Sequence, residues 1–161
     1  MPSRTLLATG LGTAAAAVIG SLAGRSGVET WYPTLKKPPY VPPSAVFPVA
    51  WTSLYADIAV TSASTIDKLR AGDDAAATRN YVAALGANLA LNASWSWLFF
   101  KAHKLGPSAV AAAALALSSA DLARRTAKVT PRAGVALAPY PLWCTFATVM
   151  SSDIWRLNRG R

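Results

Sequence analysis

Residues 81–100 read YVAALGANLALNASWSWLFF, twenty residues without a charge. At 1.5 Å per residue, a helix of that length spans about 30 Å, the thickness of a bilayer's hydrocarbon core. Inside lipid every backbone N–H and C=O needs a partner within its own segment, and the period-two alternation of a membrane strand is absent. The stretch therefore reads as a membrane-crossing helix. Working outward, residues 5–24 are another uncharged twenty, and 45–66 is interrupted only by Asp57. Residues 105–120 are shorter, Ala-rich and end at Asp121, and 133–152 form a fifth apolar run. With their flanks these predict helices over roughly 5–24, 45–69, 78–101, 105–124 and 132–155. The fold class expected is all-α, a five-helix integral membrane bundle in one domain covering 1–161.

Composition points the same way. Of the 161 residues, 53% are hydrophobic and only 14% charged, against about 25% charged in soluble domains. The net charge of +9 does not indicate nucleic acid, because the basic residues sit in short clusters between apolar runs rather than along one helix. Lys36 and Lys37, Lys101 and Lys104, and Arg124, Arg125 and Lys128 have the layout of loops beside lipid headgroups. Orientation stays open, since alternating spans put eight basic residues on each side. The first segment fits a signal peptide loosely, but its length and the four runs after it favour a retained helix. Gly20 and Gly24, four apart, and the block Ala111–Ala114 would let helices approach closely. Cys144 and His103 are the only residues of their kinds, so no internal disulfide, cysteine-based zinc cluster or CxxCH haem attachment is expected, and no metal site is assigned.

The aromatic residues carry the functional signal. Phe47, Trp51 and Tyr55 recur every fourth residue on the second helix. Asn88, Asn92, Trp95 and Phe99 share a face of the third; Trp143, Ala147 and Met150 share one of the fifth, with Phe146 beside them. Such stripes either pack helices and anchor interfaces or converge into a flat-walled apolar slot for a planar ligand. Asn88 and Asn92 would bond a neighbouring helix or a ligand carbonyl. Residues 25–44 hold five prolines together with Trp31, Tyr32 and Tyr40, a stiff loop suited to be a lid over the bundle or an interfacial aromatic belt. Asp57 points away from the aromatic stripe and is expected to meet a polar partner on another helix or at a subunit interface.

Four linked motifs then resemble one family. Trp31-Tyr32-x-x-Leu35-x-Lys37-Pro38-x-Tyr40-x-Pro42-Pro43 resembles the first loop of the tryptophan-rich sensory protein / translocator protein family. Phe47-x-x-x-Trp51-x-x-Leu54-Tyr55 is similar to its second helix and Leu91-Asn92-x-x-Trp95-Ser96-x-x-Phe99-Phe100 to its third. Pro139-Tyr140-x-x-Trp143-x-x-Phe146-Ala147-Thr148, with Trp155-Arg156, resembles its fifth. The resemblance implies a five-helix membrane protein, often a homodimer, that binds porphyrins and other planar lipophiles in a cavity under the first loop. The positions it assigns to ligand binding are Tyr32, Pro43, Phe47, Trp51, Tyr55, Asn92, Trp95, Trp143, Phe146 and Ala147. It also implies multi-pass membrane localisation, and the Ala/Arg bias of the composition points to a bacterial cell membrane. Tyr40 replaces a more usual Trp, Asp57 stands where a small residue is expected, and Ser152 replaces the Tyr of the animal sterol motif, which speaks against tight sterol binding.

Three functions compete. The first is a receptor, sensor or carrier of tetrapyrroles, metal-free or as haem held without ligation, with no covalent cofactor and with propionates reaching Lys36, Lys37 or Arg25. The second is a light- or oxygen-dependent porphyrin-degrading enzyme using Trp51 and Trp143, because no nucleophile–base set or paired carboxylates exist. The third and weakest is a proton-coupled exporter, for which the first helix offers no carboxylate.

Overall fold

The computed structural model describes residues 3–160. The described residues form six α-helices and no strand: α1 Arg4–Ser26, α2 Val46–Ala71, α3 Ala75–Ser96, α4 Leu105–Val129, α5 Pro131–Leu137 and α6 Pro139–Leu157. Ser3 caps α1 by accepting from the Leu6 N–H at 3.1 Å, and Asp74 caps α3 by accepting from the Ala77 N–H at 2.8 Å. Pro48, Pro107, Pro131, Pro139 and Pro141 all lie in first turns, where a helix has no partner for an N–H.

Two differences from the expected layout stand out. The run expected as one helix over 132–155 is divided at Ala138 into α5 and α6. Pro139 and Pro141 supply no N–H to the carbonyls one turn back, so the ladder breaks there. And among the described residues three segments, not five, are long and apolar enough to cross a membrane by themselves: Arg4–Arg25, Leu105–Val129 and Pro131–Leu157, the last covering α5 and α6 together. α2 and α3 are long enough but carry more polar side chains, many of them bonded inside the bundle. In α2 the Thr61 hydroxyl donates to the Asp57 carbonyl and the Thr65 hydroxyl to the Thr61 carbonyl.

α4 packs chiefly on α6 and also meets α3 and α5, while α1 lies against α2 and α3. α1 and α3 run side by side in the same direction, with Gly12 against Leu89 and Gly20 against Ser96. The Thr9 hydroxyl of α1 donates to the Ala59 carbonyl of α2 at 2.9 Å. Side chains such as Leu11, Leu117 and Val135 are more than 70% exposed, as lipid-facing residues would be. The core divides in two. One cluster, around Ile58, Tyr81, Leu122, Leu137 and Tyr140, fills the middle of the bundle. The other, around Phe99, Met150 and Ile154, lies at the end covered by the first loop.

Candidate functional site

The first loop is built from short tight turns. α1 continues into a π-helical turn, Gly27–Trp31, followed by a 3-10 turn, Tyr32–Thr34. A matching π-helical turn, Trp97–Lys101, extends α3. The two turns meet where Gly27 has no side chain, since a Cβ there would overlap the Phe100 carbonyl oxygen. Around this contact Trp31 stacks on His103 at 4.1 Å and Trp95 on Phe99 at 5.2 Å. Tyr32 packs against Phe99 and Phe100 with centroids 6.0 Å away.

The remainder of the loop is fastened to α6. The Asn158 amide accepts from the Lys36 N–H at 3.1 Å and donates to the Lys36 carbonyl at 2.9 Å and to the Ile154 carbonyl at 2.7 Å. Tyr40 donates to an Asp153 carboxylate oxygen at 2.7 Å and sets its ring edge against Phe146 at 6.1 Å. Local desolvation, and then the bond to Asp153, push the Tyr40 hydroxyl up to about 12, so it remains a donor at neutral pH. Burial likewise raises the Tyr32 hydroxyl. Lys37 lies 4.7 Å from the Tyr32 ring centroid, and its ammonium donates to the Leu35 carbonyl at 3.0 Å.

Beneath the loop, Phe47 and Trp51 of α2, Trp95 of α3, Ala112 and Leu115 of α4, and five residues of α6 enclose one apolar cavity. The α6 residues are Trp143, Cys144, Phe146, Ala147 and Met150. Trp51 and Trp143 meet edge to face at 6.5 Å and 90°, Phe47 abuts Trp143 at 6.0 Å, and Trp143 meets Phe146 at 5.7 Å. The cavity volume is about 20 Å³, room for one water. The rings thus converge as the slot reading required, but they touch one another. A macrocycle fits only if they part.

Six of the ten expected positions line this cavity: Phe47, Trp51, Trp95, Trp143, Phe146 and Ala147. Tyr32 sits above it in the loop cluster, and Pro43 is exposed on the loop. Tyr55 and Asn92 lie deeper, in a buried polar chain. Tyr55 donates to the Asn92 carbonyl oxygen at 2.8 Å, and the Asn92 amide donates to the Tyr140 hydroxyl at 3.2 Å. Tyr140 donates to the Asn88 carbonyl oxygen at 2.8 Å, and the Asn88 amide donates to Ser118 at 3.1 Å. Both asparagines therefore bond neighbouring helices, α2, α4 and α6. Trp95 Nε1 is buried with no hydrogen-bond partner among the described residues, a spare donor on a residue that lines the cavity.

Sequence reasoning left out Ala112, Leu115 and Cys144, which carry no aromatic signal, and the organising role of Tyr140. Met150 was visible on the Trp143 stripe. Arg25 and Lys36 stay exposed at the loop end, whereas Lys37 is turned onto the loop carbonyls. No group of three or more metal-ligating side chains occurs among the described residues.

The profile of the TspO/MBR family matches residues 8–156. The chain belongs to that family. Protein CrtK of Rhodobacter capsulatus is 34% identical over 135 residues, covering 81% of this chain and 79% of that protein. A tryptophan-rich sensory protein of Cereibacter sphaeroides is 32% identical across 83% of this chain and 80% of its own length. The translocator protein of Homo sapiens is 33% identical across 81% of this chain and 76% of its own length. Like other TspO/MBR members, it is a multi-pass membrane protein, and the aromatic cavity and loop described above both fall within the matched region.

Proposed function

We propose that this TspO/MBR protein binds porphyrins and similar flat lipophiles between α2, α3, α4 and α6, as a receptor, sensor or carrier. The observation that carries the reading is the convergence of Phe47, Trp51, Trp95, Trp143 and Phe146 on one apolar cavity beneath a fastened loop. Indole and phenyl faces offer a planar macrocycle broad contact, and Trp95 Nε1 offers a hydrogen bond. The cavity's small volume makes binding a two-step event. The loop releases α6, the rings part, and the ligand replaces ring-on-ring contacts with ring-on-ligand ones. The basic residues Arg25 and Lys36 at the loop end suit ligand carboxylates. Titrating purified protein with protoporphyrin should quench Trp fluorescence saturably, and Trp143→Ala should weaken it. Linear quenching that ignores the substitution would reduce the effect to partitioning into detergent.

A second reading, light-dependent porphyrin loss with dioxygen as oxidant, draws on the unbroken ring contacts from Tyr55 through Trp51 to Trp143. Under it, Trp51→Phe and Trp143→Phe abolish photobleaching yet leave binding largely intact. Unchanged photobleaching in both variants rejects it.

A further inference from the structure

At the opposite end of the bundle from the loop, the turn between α2 and α3 forms a groove that the aromatic cavity does not involve. Arg70, Asp73, Ala75, Thr78, Arg79 and Val82 line it, and its volume is about 480 Å³. Arg70 places one N–H on the Thr5 hydroxyl at 3.0 Å, and that hydroxyl donates to Asp67 at 2.5 Å. The rest of its guanidinium stays available. Arg79 is exposed and forms no hydrogen bond or ion pair with any described residue. Arg70 and Arg79 therefore line one groove with a single carboxylate residue, Asp73, which no ion pair joins to them, while Asp67 approaches Arg70 through Thr5 from outside the lining. Below the arginines the wall turns apolar. Val82 is 45% exposed, Ala83 and Gly86 are exposed too, and at Gly86 a Cβ would meet nothing within 4 Å.

We propose that this groove binds the phosphate of an anionic lipid headgroup, with the acyl chains lying along the Val82–Gly86 side of α3. Forked N–H donors suit phosphate oxygens, and basic recesses at the ends of membrane helices are suited to anionic headgroups. A free phosphate would use the arginines but not the apolar strip beneath them. Asp73 selects a headgroup that carries hydrogen-bond donors beside its phosphodiester, as the hydroxyls of phosphatidylglycerol do.

The test follows thermal unfolding of the full chain in neutral detergent while phosphatidylglycerol, phosphatidylcholine or inorganic phosphate is added. Arg79→Gln removes a side chain that has no hydrogen bond or ion pair among the described residues, so the fold should survive. Arg132→Gln makes the same charge change at the same end of the bundle, where Lys68 meets Thr130 at 2.8 Å, but outside the groove. Phosphatidylglycerol should protect the parent saturably. Arg79→Gln should need about tenfold more of it, while Arg132→Gln stays within twofold of the parent. Equal weakening by both substitutions would mean diffuse charge attraction. Equal protection by phosphatidylcholine would mean acyl contact alone, and equal protection by inorganic phosphate a free-anion site. Any of the three overturns the proposal.

Discussion

Tyr140 donates to Asn88 and accepts from Asn92, so removing one hydroxyl leaves the Asn88 carbonyl oxygen and the Asn92 amide N–H unpaired. Leaving buried polar groups unpaired costs about 1–3 kcal/mol, and Tyr140→Phe should destabilise the protein by that order in a detergent melting experiment. Tyr55→Phe strands only the Asn92 carbonyl oxygen and should cost less. At the loop, Tyr40 donates to Asp153 only while protonated. Its hydroxyl is raised above the usual tyrosine value, so the contact is fully present below pH 10 and disappears as pH rises through about 12. In a phenolate absorbance titration, the change that develops near pH 12 should be smaller by one tyrosine in Tyr40→Phe than in the parent. Which rings share a face of one helix was legible from residue spacing, because every fourth residue lies on the same side. That Asn92 would bond Tyr55 and Tyr140 rather than face a ligand was not, because spacing fixes a side chain's direction along its own helix and says nothing about its partner.

Between elements, the loop's hold on the bundle depends on two joints. The first is the meeting of the π-helical turns at Gly27. Gly27→Ala would press a methyl group onto the backbone of Phe100, which cannot swing aside as a side chain can. Overpacking of this kind costs about 1–3 kcal/mol, and the variant should melt earlier and lose near-ultraviolet signal from Trp31 and Trp95. The second joint is Asn158, which holds both the N–H and the carbonyl of Lys36. Asn158→Ala should lower stability by about 1–3 kcal/mol and speed porphyrin association and release together, as stopped-flow quenching would show. Apolar run length pointed to the long helices but not to all their ends: α4 runs on to Val129, past the expected 124. The division at Ala138 lay in plain view in Pro139 and Pro141, but an uncharged run of the right length masked it.

For the molecule as a whole, Asp57 is half-buried on α2, and its carboxylate has no hydrogen bond or ion pair among the described residues. Of the two settings expected for it, a partner on another helix is not found among the described residues, and a subunit contact is the setting we propose. Asp57→Ala should therefore shift the detergent-solubilised protein toward lower mass in light scattering; unchanged mass and melting would end that idea. Length and apolar content alone determined that the chain is helical and suited to lipid, because a bilayer leaves the backbone no other way to satisfy its polar groups. The motif order fixed the family. Only the tertiary structure decided that the rings close on one another around about 20 Å³, and that Asn158 and Tyr40 hold the loop shut over them. Whether facing side chains enclose a space or fill it depends on distances between helices, and those are set by packing among residues far apart in the chain.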